Sequence, residues 1–150
     1  MKKSRFSHLD AQGKARMVDV SPKPVQSRRA VAVAVLRCAP ATIRQLRKEA
    51  LPKGDALAVA RIAGIQAAKR TAEFIPLCHP LPLNQVTVDF KVGKNSITIT
   101  TEAATDARTG VEMEALTAAS VAALALYDML KSVDKKMVIE HVKLLSKTKK

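Results

Sequence analysis

From Ala115 to Tyr127 the chain runs thirteen residues without a charge, and the stretch is apolar around most of its helical circumference. It falls short of the ~20 residues needed to cross a bilayer, so no membrane association is expected. A helix lying on one face of a sheet needs only an apolar stripe. An apolar cylinder instead predicts a helix covered on several sides, by a sheet, by a second helix and by another subunit. The chain is therefore expected to form an oligomer.

The remaining segments supply those partners. Arg29 to Cys38 alternates Val with Ala, which predicts a strand with one bulky and one small face. A short helix over 41–50 follows Pro40, and a long one runs from Gly54 to Phe74, ending before Pro76. A proline-rich loop over 75–83 leads into an alternating strand over 85–92. Gly93-Lys94-Asn95-Ser96 signals a hairpin turn into a β-branched strand over 97–105. A helix over 110–133 and a strand over 137–145 complete the pattern. The order strand, helix, strand, strand, helix, strand predicts an α+β, ferredoxin-like split-βαβ fold: an antiparallel sheet with two long helices on one face.

All 150 residues read as one domain, with 1–16 as an extended or disordered arm and 147–150 as a mobile tail. There is no Trp, and aromatic residues make up only 3% of the chain. The core must then be built from Ala, Val, Leu and Ile, whose helices are thin and pack closely.

On the first long helix Leu57, Ile62 and Ile65 share a stripe at about 100° per residue, and Arg61 and Lys69 fall inside it. Burying an unpaired cation costs several kcal/mol. Two cations among apolar positions therefore point to a partly buried site that receives an anion.

The net charge is +13, and +11 of it sits in residues 1–30 and 131–150. Solvated basic ends explain this most simply, and steering of a polyphosphate ligand comes second. Nucleic-acid binding ranks third, because Tyr127, Phe6, Phe74 and Phe90 scarcely supply a stacking surface. An anion- or RNA-binding module remains the main rival to an enzyme. Cys38 and Cys78 form neither a CxxC pair nor a disulfide framework. The opening Met-Lys-Lys-Ser-Arg-Phe-Ser-His has no apolar h-region, so a cytoplasmic protein is expected.

Four segments hold candidate chemistry. In Lys53-Gly54-Asp55, Asp55 suits a helix cap, and Lys53 is either a surface cation or part of a site. In Leu77-Cys78-His79-Pro80, adjacent Cys and His do not face one metal easily, so no metal is expected; a His fixed near prolines suits holding a polar ligand. Thr109-Gly110-Val111-Glu112-Met113-Glu114 opens the second long helix with ordinary dipole complements. Near its end, Asp128 and Lys131 are spaced to pair, as a plain surface pair or as an acid–base couple. Glu114 and Asp128 are fourteen residues apart, or ~21 Å along a straight helix. If both serve one site, that site combines two chains.

Taken together, these segments resemble the cyclic pyranopterin monophosphate synthase family, the molybdenum cofactor biosynthesis protein C family. The resemblance is carried by Met17-Val18-Asp19-Val20-Ser21, Lys53-Gly54-Asp55, Ala60 to Thr71, Ile75 to Leu81, Gly110 to Val121, Tyr127-Asp128-Met129 and Met137-Val138-Ile139. It implies a ferredoxin-like homohexamer, a trimer of dimers. The implied reaction turns 3′,8-cyclo-7,8-dihydroguanosine 5′-triphosphate into cyclic pyranopterin monophosphate and pyrophosphate. By motif match, Leu77, Cys78, His79, Met113 and Glu114 contact substrate, and Asp128 is the catalytic acid/base. Lys53, Lys69, Lys131 and Lys147 line the pocket, with Lys53 and Lys131 in the chemistry and Arg61 and Lys69 toward the triphosphate. No redox cofactor is required, and Mg²⁺ is compatible with the triphosphate although the sequence shows no carboxylate cage for it.

Overall fold

The structure, a computed structural model, describes residues 7–150. Its elements in chain order are β1 (Gln26–Arg37), α1 (Pro40–Arg47), α2 (Ala56–Lys69), α3 (Thr71–Phe74), β2 (Gln85–Val92), β3 (Ser96–Ala107), α4 (Glu112–Leu130) and β4 (Val138–Lys149). The four strands form one antiparallel sheet in the order β2-β3-β1-β4. Strand β3 splits the β1–α2–β2 unit and β1 splits the β3–α4–β4 unit, which is the predicted ferredoxin-like arrangement.

The alternation in β1 decides which face the helices cover. Ala30, Ala32, Ala34 and Leu36 are buried on the helix side, beside Ile97, Ile99, Thr101 and Ala103 of β3. Alanine on this face lets α4 come close enough for the Thr101 hydroxyl to donate to Ala115 O at 2.7 Å. Helix α4 is long and apolar enough, by length and composition, to cross a membrane. Yet Ala115, Ala119, Ala122, Ala123, Leu126 and Leu130 are all in the core, so it behaves as a core helix.

Helix α2 corrects the stripe expected from sequence. Its buried positions are Ala56, Ala60, Gly64, Ala67 and Ala68, whereas Ile62 is 55% exposed. Leu57 and Ile65 only border the core. The smallest residues face α4 because they permit the closest helix approach; a Cβ on Gly64 would stand 3.0 Å from Ala118 O and 3.2 Å from Ala122 Cβ. Arg61 and Lys69 are therefore exposed beside the buried face and not inside it.

The expected helix over 54–74 starts two residues later and breaks at Arg70. Asp55 caps α2, accepting from Ala58 N at 3.0 Å. At the break, the buried Thr71 hydroxyl donates to Ala68 O at 3.0 Å, a back-bond that favours bending.

Both ends of the chain also differ from expectation. Residues 147–149, expected in a mobile tail, belong to β4, with Lys147 opposite Ala30 and Lys149 opposite Arg28. Lys150 and Ser27 exchange backbone hydrogen bonds at 3.0 Å. Strand β1 begins at Gln26, and β4 satisfies the backbone groups along its outer edge; its lysines suit an exposed edge strand. Within the expected arm, residues 1–6 lie outside the described residues. Residues 9–15 fold back on themselves, with Leu9 bridging to Ala15.

A buried carboxylate ties the end of α4 to the start of α1. Asp134 accepts from Ala39 N at 2.7 Å, the Thr42 hydroxyl at 3.0 Å and Lys136 N at 3.0 Å. Burial by itself would raise its pKa, but these donors together hold it below the ordinary 3.8. Its contribution to stability is thus present above that value and fades as the pH falls below it. Asp134→Ala leaves three donors without their acceptor, one of them the buried Thr42 hydroxyl, and is expected to cost about 2 kcal/mol. A lowered urea midpoint checks this, and an unchanged midpoint refutes it.

Candidate active site

Two groups of polar side chains lie at opposite ends of α4. At its C-terminal end, Asp128 sits between two ammonium groups: Lys131 Nζ is 2.6 Å from Oδ1 and Lys53 Nζ is 2.9 Å from Oδ2. Lys53 also donates to the Asp128 carbonyl at 2.9 Å. A tight turn aims Lys53 there. Leu51 is buried as its anchor, Gly54 N donates to Leu51 O at 3.1 Å, and Gly54 takes φ +88°, a conformation that favours glycine. The expected Asp128–Lys131 pair is present, and Lys53, which the resemblance places in the same chemistry, is paired with Asp128 as well.

The hydrogen bond from Lys131, followed by that from Lys53, lowers the Asp128 carboxyl to about 2. Asp128 in turn raises the Lys131 pKa. At neutral pH the cluster is therefore one carboxylate clamped by two cations. All three side chains are partly open to solvent, so the clamp is accessible to a ligand.

The N-terminal end of α4 borders a cavity of about 400 Å³, lined by Leu77, Cys78 and His79 from the loop after α3 and by Glu112, Met113 and Glu114 from α4. The loop is held at the cavity because His79 Nε2 donates to Val18 O at 2.7 Å. One ring nitrogen of His79 is thus engaged by the main chain. Burial, then the charge of Glu112, raises the pKa of the buried Glu114. Burial, then Glu114, raises the Cys78 thiol too, so Cys78 acts as a wall and not as a ready thiolate.

Lys69 and Lys147 flank this cavity on two sides. Lys69 lines a neighbouring hollow of about 340 Å³ that shares Leu81 and Glu114 with it. Lys147 lines another of about 310 Å³ sharing Gly110 and Glu112, and pairs with Glu112 at 2.8 Å. Burial would raise the Glu112 pKa, but Lys147 and the charge of Arg28 hold it below its ordinary value. Glu112 and Arg28 were not among the expected site residues. The Glu112-Met113-Glu114 motif was the available signal for the first; for Arg28 the sequence offered none.

Arg61 joins neither group. Its Nε donates to Val88 O on the β2 edge at 3.0 Å, and its guanidinium lies 5.5 Å from the Phe90 ring centroid. This bond and stacking hold it away from Lys69, two turns further along α2. Among the described residues no group of three or more His, Cys, Asp or Glu is placed to hold a metal ion.

A protein of Parvibaculum lavamentivorans named cyclic pyranopterin monophosphate synthase is 53% identical over 150 residues, covering 99% of this chain and 94% of that protein. The family model described as the MoaC family matches residues 17–150, a span that holds all four strands and all four helices. The chain belongs to the MoaC family.

Proposed function

We propose that the chain is a lyase of molybdenum cofactor biosynthesis. It converts (8S)-3′,8-cyclo-7,8-dihydroguanosine 5′-triphosphate to cyclic pyranopterin monophosphate and pyrophosphate. The observation that carries the mechanism is the Lys53–Asp128–Lys131 cluster. Closing the cyclic phosphate requires a sugar hydroxyl to attack the α-phosphorus while pyrophosphate leaves. The two lysines supply positive charge where the leaving group gathers its negative charge. Opening and rebuilding the purine ring requires proton transfers. A carboxyl held at about 2 is a poor proton donor at neutral pH, so donation falls to Lys53 and Lys131, with Asp128 orienting them.

Substrate is held by Leu77, Cys78, His79, Met113 and Glu114, with Lys69 and Lys147 at the rim. Arg61 turns to the substrate only by leaving Val88. The reading needs no redox cofactor; Mg²⁺ would travel on the triphosphate. The two polar groups lie ~21 Å apart along α4, so each active site pairs the C-terminal group of one protomer with the cavity of another. Val59, Ile62 and Leu124, each about half exposed, give the helices apolar surface to bury in a homohexamer built as a trimer of dimers. Neither nucleic acid nor a membrane has a part in the reading, which places the enzyme in the cytoplasm.

Incubation with the cyclised nucleotide is expected to release pyrophosphate and the pterin product, from a protein that light scattering shows to be oligomeric at micromolar concentration. No turnover would sink the lyase reading, and a strictly monomeric active protein would sink the shared site.

A further inference from the structure

The cavity beside His79 has a roof that belongs to neither α4 nor the loop after α3. Ser7, His8, Val18, Val20 and Lys23, all upstream of the sheet, complete its lining. This segment is locally built. The Asp10 carboxylate accepts from Gln12 N at 2.9 Å and Lys14 N at 2.8 Å, and Gly13 turns the chain at φ +79°. Arg16 N then donates to His8 O at 2.9 Å, which fixes the backbone that carries the imidazole. Two further bonds tie the strap to the walls beneath it: His79 Nε2 to Val18 O, and Arg108 Nε to Lys23 O at 2.9 Å.

We infer that residues 7–24 are the lid of the substrate pocket and that His8 makes a polar contact to the bound nucleotide. The inference rests on the lyase reading for the ligand's identity. The walls offer the carboxylates of Glu112 and Glu114, which accept hydrogen bonds from ring N–H groups. A nucleotide triphosphate also presents carbonyl and phosphate oxygens, which need donors. The roof provides them as the His8 imidazole and the Lys23 ammonium. The lid is tied to its walls by two side-chain bonds to main-chain carbonyls, a small set to break and remake at each entry and exit. His8 precedes residue 17, where the family match begins, so that match assigns it no role.

The test uses the full chain. His8→Ala is expected to raise KM for the cyclised nucleotide about tenfold while kcat stays within about threefold, as loss of one ligand hydrogen bond predicts. His8→Gln, which keeps an amide donor, restores most of that loss. A second measurement is independent of turnover. Trypsin cuts after Lys14 and Arg16 in the lid, and saturating GTP, as an unreacting relative of the substrate, is expected to slow those cuts at least about tenfold. Wild-type turnover with an unchanged KM in His8→Ala and unprotected Lys14 and Arg16 would overturn the lid. If wild type fails to turn over but GTP protects the strap, the lid stands and the lyase reading falls.

Discussion

Asp128→Asn is expected to lower kcat by about 10³-fold, with KM for the cyclised nucleotide, the assembly state and the thermal midpoint near wild type. Asparagine keeps the shape and loses the charge that holds Lys53 and Lys131 on either side of the carboxylate. The two ammonium groups then repel one another and leave the positions from which they would neutralise the leaving pyrophosphate and donate protons. Stability changes little because the pair is exposed to solvent and screened. Ground-state affinity changes little because the substrate's own charge attracts the lysines with or without Asp128. The folded carboxyl titrates at about 2, against an ordinary 3.8. Its charge is therefore complete above the ordinary value and lost only as the pH falls through about 2. Any ionisation in kcat near neutrality belongs to another group, so the variant lowers the plateau without moving that ionisation. Steady-state kinetics across pH check the result, and a wild-type kcat would refute the role of Asp128.

How much of this cluster the sequence disclosed follows from distance along the chain. Asp128 and Lys131 are three residues apart on one helix, so spacing alone brings them together. Lys53 lies 75 residues from Asp128, and only the packing of α2 against α4 delivers it. The His79–Val18 bond and the Lys147–Glu112 pair are likewise products of tertiary structure. The element order was legible because period-2 and period-3.6 patterns alternate cleanly and Gly or Pro marks every boundary between the long elements except the turn from α4 into β4. The lysine-rich C-terminus looked like a tail by composition, but the open edge of β1 decided its state. Arg61 lies off the buried face because the bulkiest apolar residues of α2 do not mark that face. In a core with so few rings, the tightest contact is made by the smallest side chains.

Gly64→Val is therefore expected to be among the most destabilising substitutions in this fold, at about 3 kcal/mol. The first carbon added at Gly64 already meets Ala118 O at 3.0 Å, Val88 Cγ2 at 3.1 Å and Ala122 Cβ at 3.2 Å. One of these neighbours is backbone of α4 and the second a strand side chain beneath, so relief requires α2 to move away as a body. Valine adds two further methyl groups, and its helix propensity recovers only a few tenths of a kcal/mol over glycine. Gly64→Ala separates the two effects. Alanine gains up to about 1 kcal/mol in helix propensity against a similar or larger overpacking cost, so its loss is smaller. Denaturant midpoints with unchanged slopes check the order wild type, alanine, valine, and a wild-type midpoint for valine would refute it. Lifting α2 also carries the site with it. The Leu51–Gly54 turn enters this helix at one end and Lys69 leaves it at the other. The valine variant should consequently lose turnover even at temperatures where it remains folded, because Lys53 no longer reaches Asp128.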